Sequence, residues 1–245
     1  DFESWPCGWQ WQDVEPHFAD LEKQLGIQSR PATPFAQRFI EAGCALGMRR
    51  TDGMHDGDLA GVIGCNAMNF SGHQRRSSYR AWLHEQSADN LWIECRAKVE
   101  RIEFDDSKRA VAVVYQCDGR QQRARVDNEL ILSAGALETP RLLLLSGVGP
   151  ASQLKDLGID VVLDAPGVGE NLQDHPNVCL FYRSTEEVDF KYPQVYAFDA
   201  AARPAEEPAG VAPDTCFVCY AAPASIKQTT MRMLPILALP GRLYQ

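Results

Sequence analysis

The chain has 245 residues, of which 45% are hydrophobic, and a formal net charge of −9. That length and apolar content suit one large domain or two small ones with a real core. The acidic balance excludes broad binding to a nucleic-acid backbone, which depends on clustered Lys and Arg.

At the N-terminus, "DFESWPCGWQ" has neither a basic n-region nor an apolar h-region, so no secretory signal is expected. The following "WQDVEPHFADLEKQLG" places Trp11, Val14, Phe18, Leu21 and Leu25 at helical spacing, with Gly26 as the stop. "PFAQRFIEAGCALGM" puts Phe35, Phe39, Ala42 and Leu46 on one face of a second helix. Residues 50–76 are rich in Gly, Asn, Asp and His and predict a long loop. "SSYRAWLHEQ" predicts a third helix, with Ser77 or Ser78 as its N-cap. After Asn90 the hydrophobic period changes to two. "LWIEC", "KVERIEF", "AVAVVYQ" and "RARVDNELILSAG" predict strands, with "DDSKR" and "CDGRQQ" as hairpin turns. This antiparallel meander ends in "LILSAG", whose continuous apolar run predicts a strand buried on both faces.

Past Arg183 the chain mixes acidic, Pro-rich and apolar strand-like pieces, and residues 201–213 predict an exposed loop. The apolar stretch at residues 231–244 is short and broken by Arg232, Pro235, Pro240 and Arg242, which argues against a membrane span. With no membrane span a soluble protein is expected, and without a secretory signal the eight cysteines, scattered through a chain too long to need stapling, are expected to be reduced thiols in a cytoplasmic protein. Cys216 and Cys219 form a C-x-x-C, but no second pair accompanies it, and no metal site is expected. The simpler reading is two thiols in the apolar run "TCFVCYAA".

The junction "LILSAGALETPRLLLLSGVGP" carries the strongest local signal. Thr139 suits an N-cap, Pro140 suits the first helical position, and Gly147 follows the leucines as a C-terminal stop. Ser133, Ala134, Gly135 and Ala136 are small enough for another group to approach the backbone beside a helix N-terminus, whose free N–H groups favour negative charge. A nucleotide cofactor fits that description. So does an ordinary strand–helix crossover whose small residues only permit tight packing.

Several blocks resemble one family. "GALETPRLLLLSGVGP" is similar to the second signature of the glucose-methanol-choline (GMC) oxidoreductases, flavoproteins that oxidise alcohols. After a short helix ("ASQLKDLG") and a strand ("DVVLDAPG"), "GVGENLQDHP" is similar to the family's next block. Upstream, "RRSSYRAWL" with "NLWIECRAKVERIEF", and "DFESWPCGWQWQDVEPHFADLE", resemble family segments in the same order. The resemblance implies a mixed α/β (α+β) fold. Residues 1–176 would be part of an FAD-binding domain, containing the antiparallel meander and the crossover with interleaved helical segments. Residues 177–245 would be part of an antiparallel substrate-binding domain. It implies FAD as cofactor and a small-molecule alcohol, of the choline or alcohol dehydrogenase type, as substrate; the electron acceptor is left open. Val99 matches the valine whose backbone meets the adenine edge of FAD, and Ser133, Ala134, Gly135 and Ala136 match the turn beside the adenosine portion. Asn171, Asp174 and His175 mark the crossover towards the substrate domain and receive no assigned contact. His175 is not expected to be the catalytic base, because neighbours on an extended segment point to opposite faces.

In a complete member the resemblance implies that a His accepts the hydroxyl proton while hydride passes from the carbinol carbon to flavin N5. This chain lacks the family's G-x-G-x-x-G turn and first signature. His17, His55, His73, His84 and His175 all fall outside the expected context of the catalytic His. The chain therefore reads as an interior section that is inactive by itself and contributes no catalytic residue. The alternatives are a hydroxynitrile lyase-type relative, which binds FAD without net redox, and a non-catalytic truncated remnant.

Overall fold

Turn chemistry and helix caps set most element boundaries. The structure, a computed structural model, describes residues 4–54, 59–84, 89–178, 180, 182, 188, 195–199 and 213–219. The chain divides into two units, Asp1–Ser87 with Tyr182–Gln245, and Ala88–Phe181.

In the first unit, helix α1 (Trp11–Leu25) ends where expected. Gly26 takes φ +64, and its N–H caps the carbonyls of Glu22 and Lys23. Strand β1 (Ile27–Ser29) follows. Helix α2 (Pro34–Ala45) is opened by Thr33, whose hydroxyl accepts the Ala36 N–H at 3.3 Å, with Pro34 in the first turn. Its buried face is Ala36, Ile40 and Gly43, one residue away from the expected stripe; Leu46 is 87% exposed, while Phe39 still packs at the core's edge. The face is set by what α2 covers, a four-stranded sheet that buries Ile63, Val195 and Ala197 against Ile40.

That sheet runs β12 (Thr215–Cys219), β11 (Val195–Asp199), β3 (Val62–Cys65) and β2 (Arg49–Arg50), antiparallel except for β2 on β3. The loop expected at residues 50–76 is therefore corrected. Besides β3 it holds β4 (Ala67–Ser71) and β5 (Gln74–Arg75), and β4 pairs with β1. The short strands turn at Gly61 and Gly72, both at positive φ, and these frequent turn residues hide the strand signal. The described part of the expected third helix, Tyr79–His84, is π-helical and is started by Ser77, whose hydroxyl accepts the Arg80 N–H at 3.4 Å and whose carbonyl accepts that of Ala81 at 3.0 Å; Glu85 and Gln86 lie outside the described residues. Trp82 Nε1 and Arg76 Nε donate at 2.6 Å to the side chain and carbonyl of Gln24, tying this turn to the end of α1. The exposed loop expected at residues 201–213 lies outside the described residues except for Pro213, as does the 231–244 stretch.

The second unit contains the expected meander. β6 (Lys98–Phe104), β7 (Ala110–Cys117) and β8 (Arg120–Arg125) form a three-stranded antiparallel sheet with β6 at one edge. Between β7 and β8, Asp118 and Gly119 both take positive φ, the two-residue turn that matches strand twist. The strand expected in "LWIEC" is absent, and the one expected in "RARVDNELILSAG" is shifted: its first residues end β8, which also takes in residues 120–122 of the expected turn, and its apolar end is not a strand. Residues 91–95 and 130–133 lie outside any sheet, with Trp92 85% and Ile131 76% exposed. A strand needs a ladder, and among the described residues none pairs with either segment. β8 makes its last contact where the Val126 N–H reaches the Val111 carbonyl; the chain then leaves the sheet before the apolar run begins.

Helix α3 (Gly135–Leu145) packs on β6. Its C-terminal Ser146 is buried; the hydroxyl accepts the Ile102 N–H at 2.8 Å and donates to the Leu142 carbonyl at 2.6 Å. Gly147 turns the chain at φ +82, where an added Cβ would lie 2.3 Å from the Asp160 carbonyl oxygen. β9 (Val148–Gly149) then pairs in parallel with β10 (Leu163–Asp164), the short form of the strand read in "DVVLDAPG". Between them lies α4 (Ala151–Asp156), whose Ala151 N–H is held by Asp164 Oδ1 at 2.9 Å. No helix among the described residues is long and apolar enough to cross a membrane.

Replacing Ser146 with Ala leaves the buried Ile102 N–H without a partner, at a cost of about 1–3 kcal/mol. Urea titration of the variant checks this, as a lower midpoint at unchanged slope. Glu103 lies between Arg123 and Arg101, at 2.7 and 3.2 Å, and the hydrogen bond from Arg123 holds its carboxyl below the ordinary range. The folded value thus lies below the unfolded one, so the contribution is present at neutral pH and lost as pH falls through the folded value. Urea midpoints of the parent and Glu103→Gln should converge in acid and separate near neutrality.

Candidate functional site

The strand–helix junction is more open than its sequence suggests. Ala134, at φ −82 and ψ 4, is the N-cap, and α3 begins at Gly135, five residues before the start at Pro140 that a Thr139 cap predicts. The expected roles of Thr139 and Pro140 are corrected accordingly. Thr139 lies inside the helix and its hydroxyl reaches back to accept the Ala134 N–H at 3.1 Å. Pro140 is interior to α3, so the Ala136 carbonyl lacks the N–H that position would otherwise supply. The early start comes from Gly135, whose φ of +89 lets the chain turn directly into the helix.

Ser133, Ala134, Gly135 and Ala136 are all exposed. The N-cap Ala134 supplies no side-chain cap, so among the described residues the first-turn N–H groups of α3 face an open approach, with the positive end of the helix dipole behind them. A Cβ added at Gly135 would meet nothing within 4 Å. Open space, small side chains and uncapped donors fit a polar or anionic cofactor group.

Val99 lies on β6, opposite Tyr115, and is 37% exposed. A bulge follows it, where the register shifts between Val99 and Arg101. Since β6 is an edge strand, part of its backbone points away from β7; Ile102 uses this edge to meet Ser146. Val99 and the junction therefore lie in the same unit, on elements packed against each other. Ser146, which holds them together, was not singled out in the sequence. Its only signal is a hydroxyl at the end of the leucine run, just before Gly147.

Asn171, Asp174 and His175 are exposed and outside any helix or strand. Asn171 takes φ +54, a conformation that Asn tolerates better than most residues. Asp174 Oδ1 accepts the backbone N–H of His175 at 2.8 Å, an interaction within the chain that does not involve the imidazole. Burial pushes the thiols of Cys219 and Cys216 up from their ordinary range. On β12 their odd spacing places them on opposite faces. Among the described residues no cluster of three or more His, Cys, Asp or Glu could hold a metal ion.

The family model for GMC oxidoreductase matches residues 1–177. The chain belongs to the GMC oxidoreductase family. It is 34% identical over 208 residues to an oxygen-dependent choline dehydrogenase of Sinorhizobium fredii, covering 77% of this chain and 37% of that protein. It is 38% identical over 186 residues to the enzyme of the same description from Chromohalobacter salexigens, covering 74% and 33% respectively. Among solved structures it resembles pyridoxine 4-oxidase from Mesorbium loti, with TM-score 0.59 and 26% identity, over 67% of this chain and 36% of that one. A similar likeness, with TM-score 0.61 and 25% identity, links it to an FAD-dependent oxidoreductase from Chaetomium thermophilum, over 71% of this chain and 35% of that one. The chain thus spans about a third of the length of the curated relatives it matches. Its mixed α/β architecture with antiparallel sheets is that of a GMC oxidoreductase.

The left-handed turn of this GMC chain at Gly135 makes a direct test of the junction. Gly135→Ala meets no steric neighbour yet forces a Cβ into φ +89, so it should cost about 1–2 kcal/mol, read as a lowered urea midpoint.

Proposed function

We propose that this chain is a section of an FAD-dependent enzyme that oxidises an alcohol to a carbonyl, of the choline or alcohol dehydrogenase type, and that it forms the wall on the adenosine side of the cofactor. The observation that carries the reading is the open turn at Ser133, Ala134, Gly135 and Ala136, within the segment matched by the family model. The relatives described as choline dehydrogenases support the substrate class, and the neighbour described as FAD-dependent supports the cofactor.

In this reading residues 1–176 belong to the FAD-binding part and residues 177–245 to the substrate-binding part. The backbone of Val99 meets the adenine edge, and the turn at residues 133–136 gives the adenosine portion room to approach the main chain. The first-turn N–H groups of α3 favour the negative charge of a nucleotide. When bound, FAD supplies the hydride acceptor for the oxidation. The chain's own residues bind and orient it, and none acts as the base that removes the hydroxyl proton. The isolated chain accordingly binds flavin without turning over an alcohol.

The test is to incubate the purified chain with FAD, remove free cofactor, and record the visible flavin band before and after anaerobic addition of choline. The band should persist and should not bleach. Ala136→Asp should lose it. Aspartate in the first turn is favourable for the helix itself, so a folded variant without flavin points to repulsion at the site. Equal flavin retention by this variant overturns the placement of the cofactor, and bleaching by choline overturns the inactivity of the chain.

A further inference from the structure

We propose that Cys95 and Cys117 are a redox-sensitive pair, closed to a disulfide by a hydroperoxide, that staples the turn before β6 to the end of β7. Cys117 Sγ lies 3.7 Å from the Cys95 carbonyl oxygen and 3.3 Å from Glu94 Oε1. A carbonyl oxygen sits about 2.4 Å from its own Cα, so Cys117 Sγ is within roughly 6 Å of the Cys95 Cα by standard backbone dimensions. The two segments lie side by side, since Lys98 is opposite Gln116 on the ladder and Arg96 is 3.2 Å from Asp118. Closure requires the exposed turn that carries Cys95 to bring its sulfur onto Cys117 in disulfide geometry.

The two thiols differ in exposure. Cys95 is exposed and meets the oxidant first, whereas Cys117 is 5% exposed. Glu94, accepting the hydrogen bond from Cys117, together with burial, holds that thiol above its ordinary range, so Cys117 enters the reaction as a thiol whose proton points at the carboxylate. In the first step the Cys95 thiol takes one oxygen from the hydroperoxide, giving a sulfenic acid and the corresponding alcohol or water. In the second, the Cys117 sulfur attacks the Cys95 sulfur. The S–S bond forms as the S–O bond breaks, and the proton that Cys117 directs at Glu94 leaves with the hydroxide as water. Both sulfurs are oxidised and the peroxide O–O bond is reduced. This chemistry uses neither flavin nor alcohol, so it stands apart from the proposed function.

The experiment treats the full chain with hydrogen peroxide, alkylates the remaining thiols, digests without reduction and identifies linked peptides by mass spectrometry. The expected product joins the peptides carrying Cys95 and Cys117, two hydrogens lighter than their sum. It should dominate in buffer and lose its preference in urea, where the fold no longer directs pairing. In a Cys117→Ser variant the sulfenic acid at Cys95 should persist and be trapped by dimedone. Fully alkylated Cys117 beside over-oxidised Cys95, links without preference among the cysteines, or no dimedone adduct in Cys117→Ser would each overturn the pair.

Discussion

The second unit depends on one hydroxyl. Ser146 accepts the Ile102 N–H of an edge strand and donates to the Leu142 carbonyl one turn back in α3. An edge strand presents backbone donors with no ladder partner, and burying one unpaired costs more than a made bond contributes. The serine satisfies that donor and fixes the end of α3 against β6 in the same contact. Leu142 and Ile102, both buried, close the apolar side of the joint. Fixing this end of the 11-residue helix leaves Pro140, which removes one bond of the ladder, as the point where its other end, at Gly135, can bend.

The sequence made local features legible wherever one residue type has a single physical reason to be present. Gly26 and Gly147 end helices at positive φ, and Asp118-Gly119 forms the tight hairpin turn. The alternation in "KVERIEF" and "AVAVVYQ" became β6 and β7 in the expected antiparallel order. What it left hidden depends on partners distant in the chain. The face of α2 is chosen by Ile63 and Val195, and the latter lies far along the chain. Residues 91–95 and 130–133 read as strands from composition, yet hydrophobic content cannot supply the neighbouring ladder. The short strands in residues 62–75 were masked by the glycines that turn them.

The junction shows how the two kinds of information combine. Its small residues and its helix were legible, but the start of the helix was misplaced because Thr139 and Pro140 form a persuasive capping pair. The tertiary solution moves the start to Gly135 and uses Thr139 to hold the cap residue's own amide. That change matters for chemistry. With the start at Pro140, residues 133–136 would be a loop; with the start at Gly135, two of them supply helix N–H groups directed at whatever occupies the open side.

β6 is thus restrained differently along its length, and Val99 lies between the restraints. Beyond it, the Ile102 amide is buried and fixed by Ser146. Before it, the turn is held by the thiol contact of Cys117 and by an Arg96–Asp118 pair whose side chains are 80% and 67% exposed. An exposed ion pair contributes little, so the start of β6 is the weaker end. Local opening begins where exposed contacts are few and weak, so opening of this strand is expected to begin upstream of Val99. The bulge after Val99 falls between the weaker and the fixed parts, before the register resumes with Ile102 against Val113.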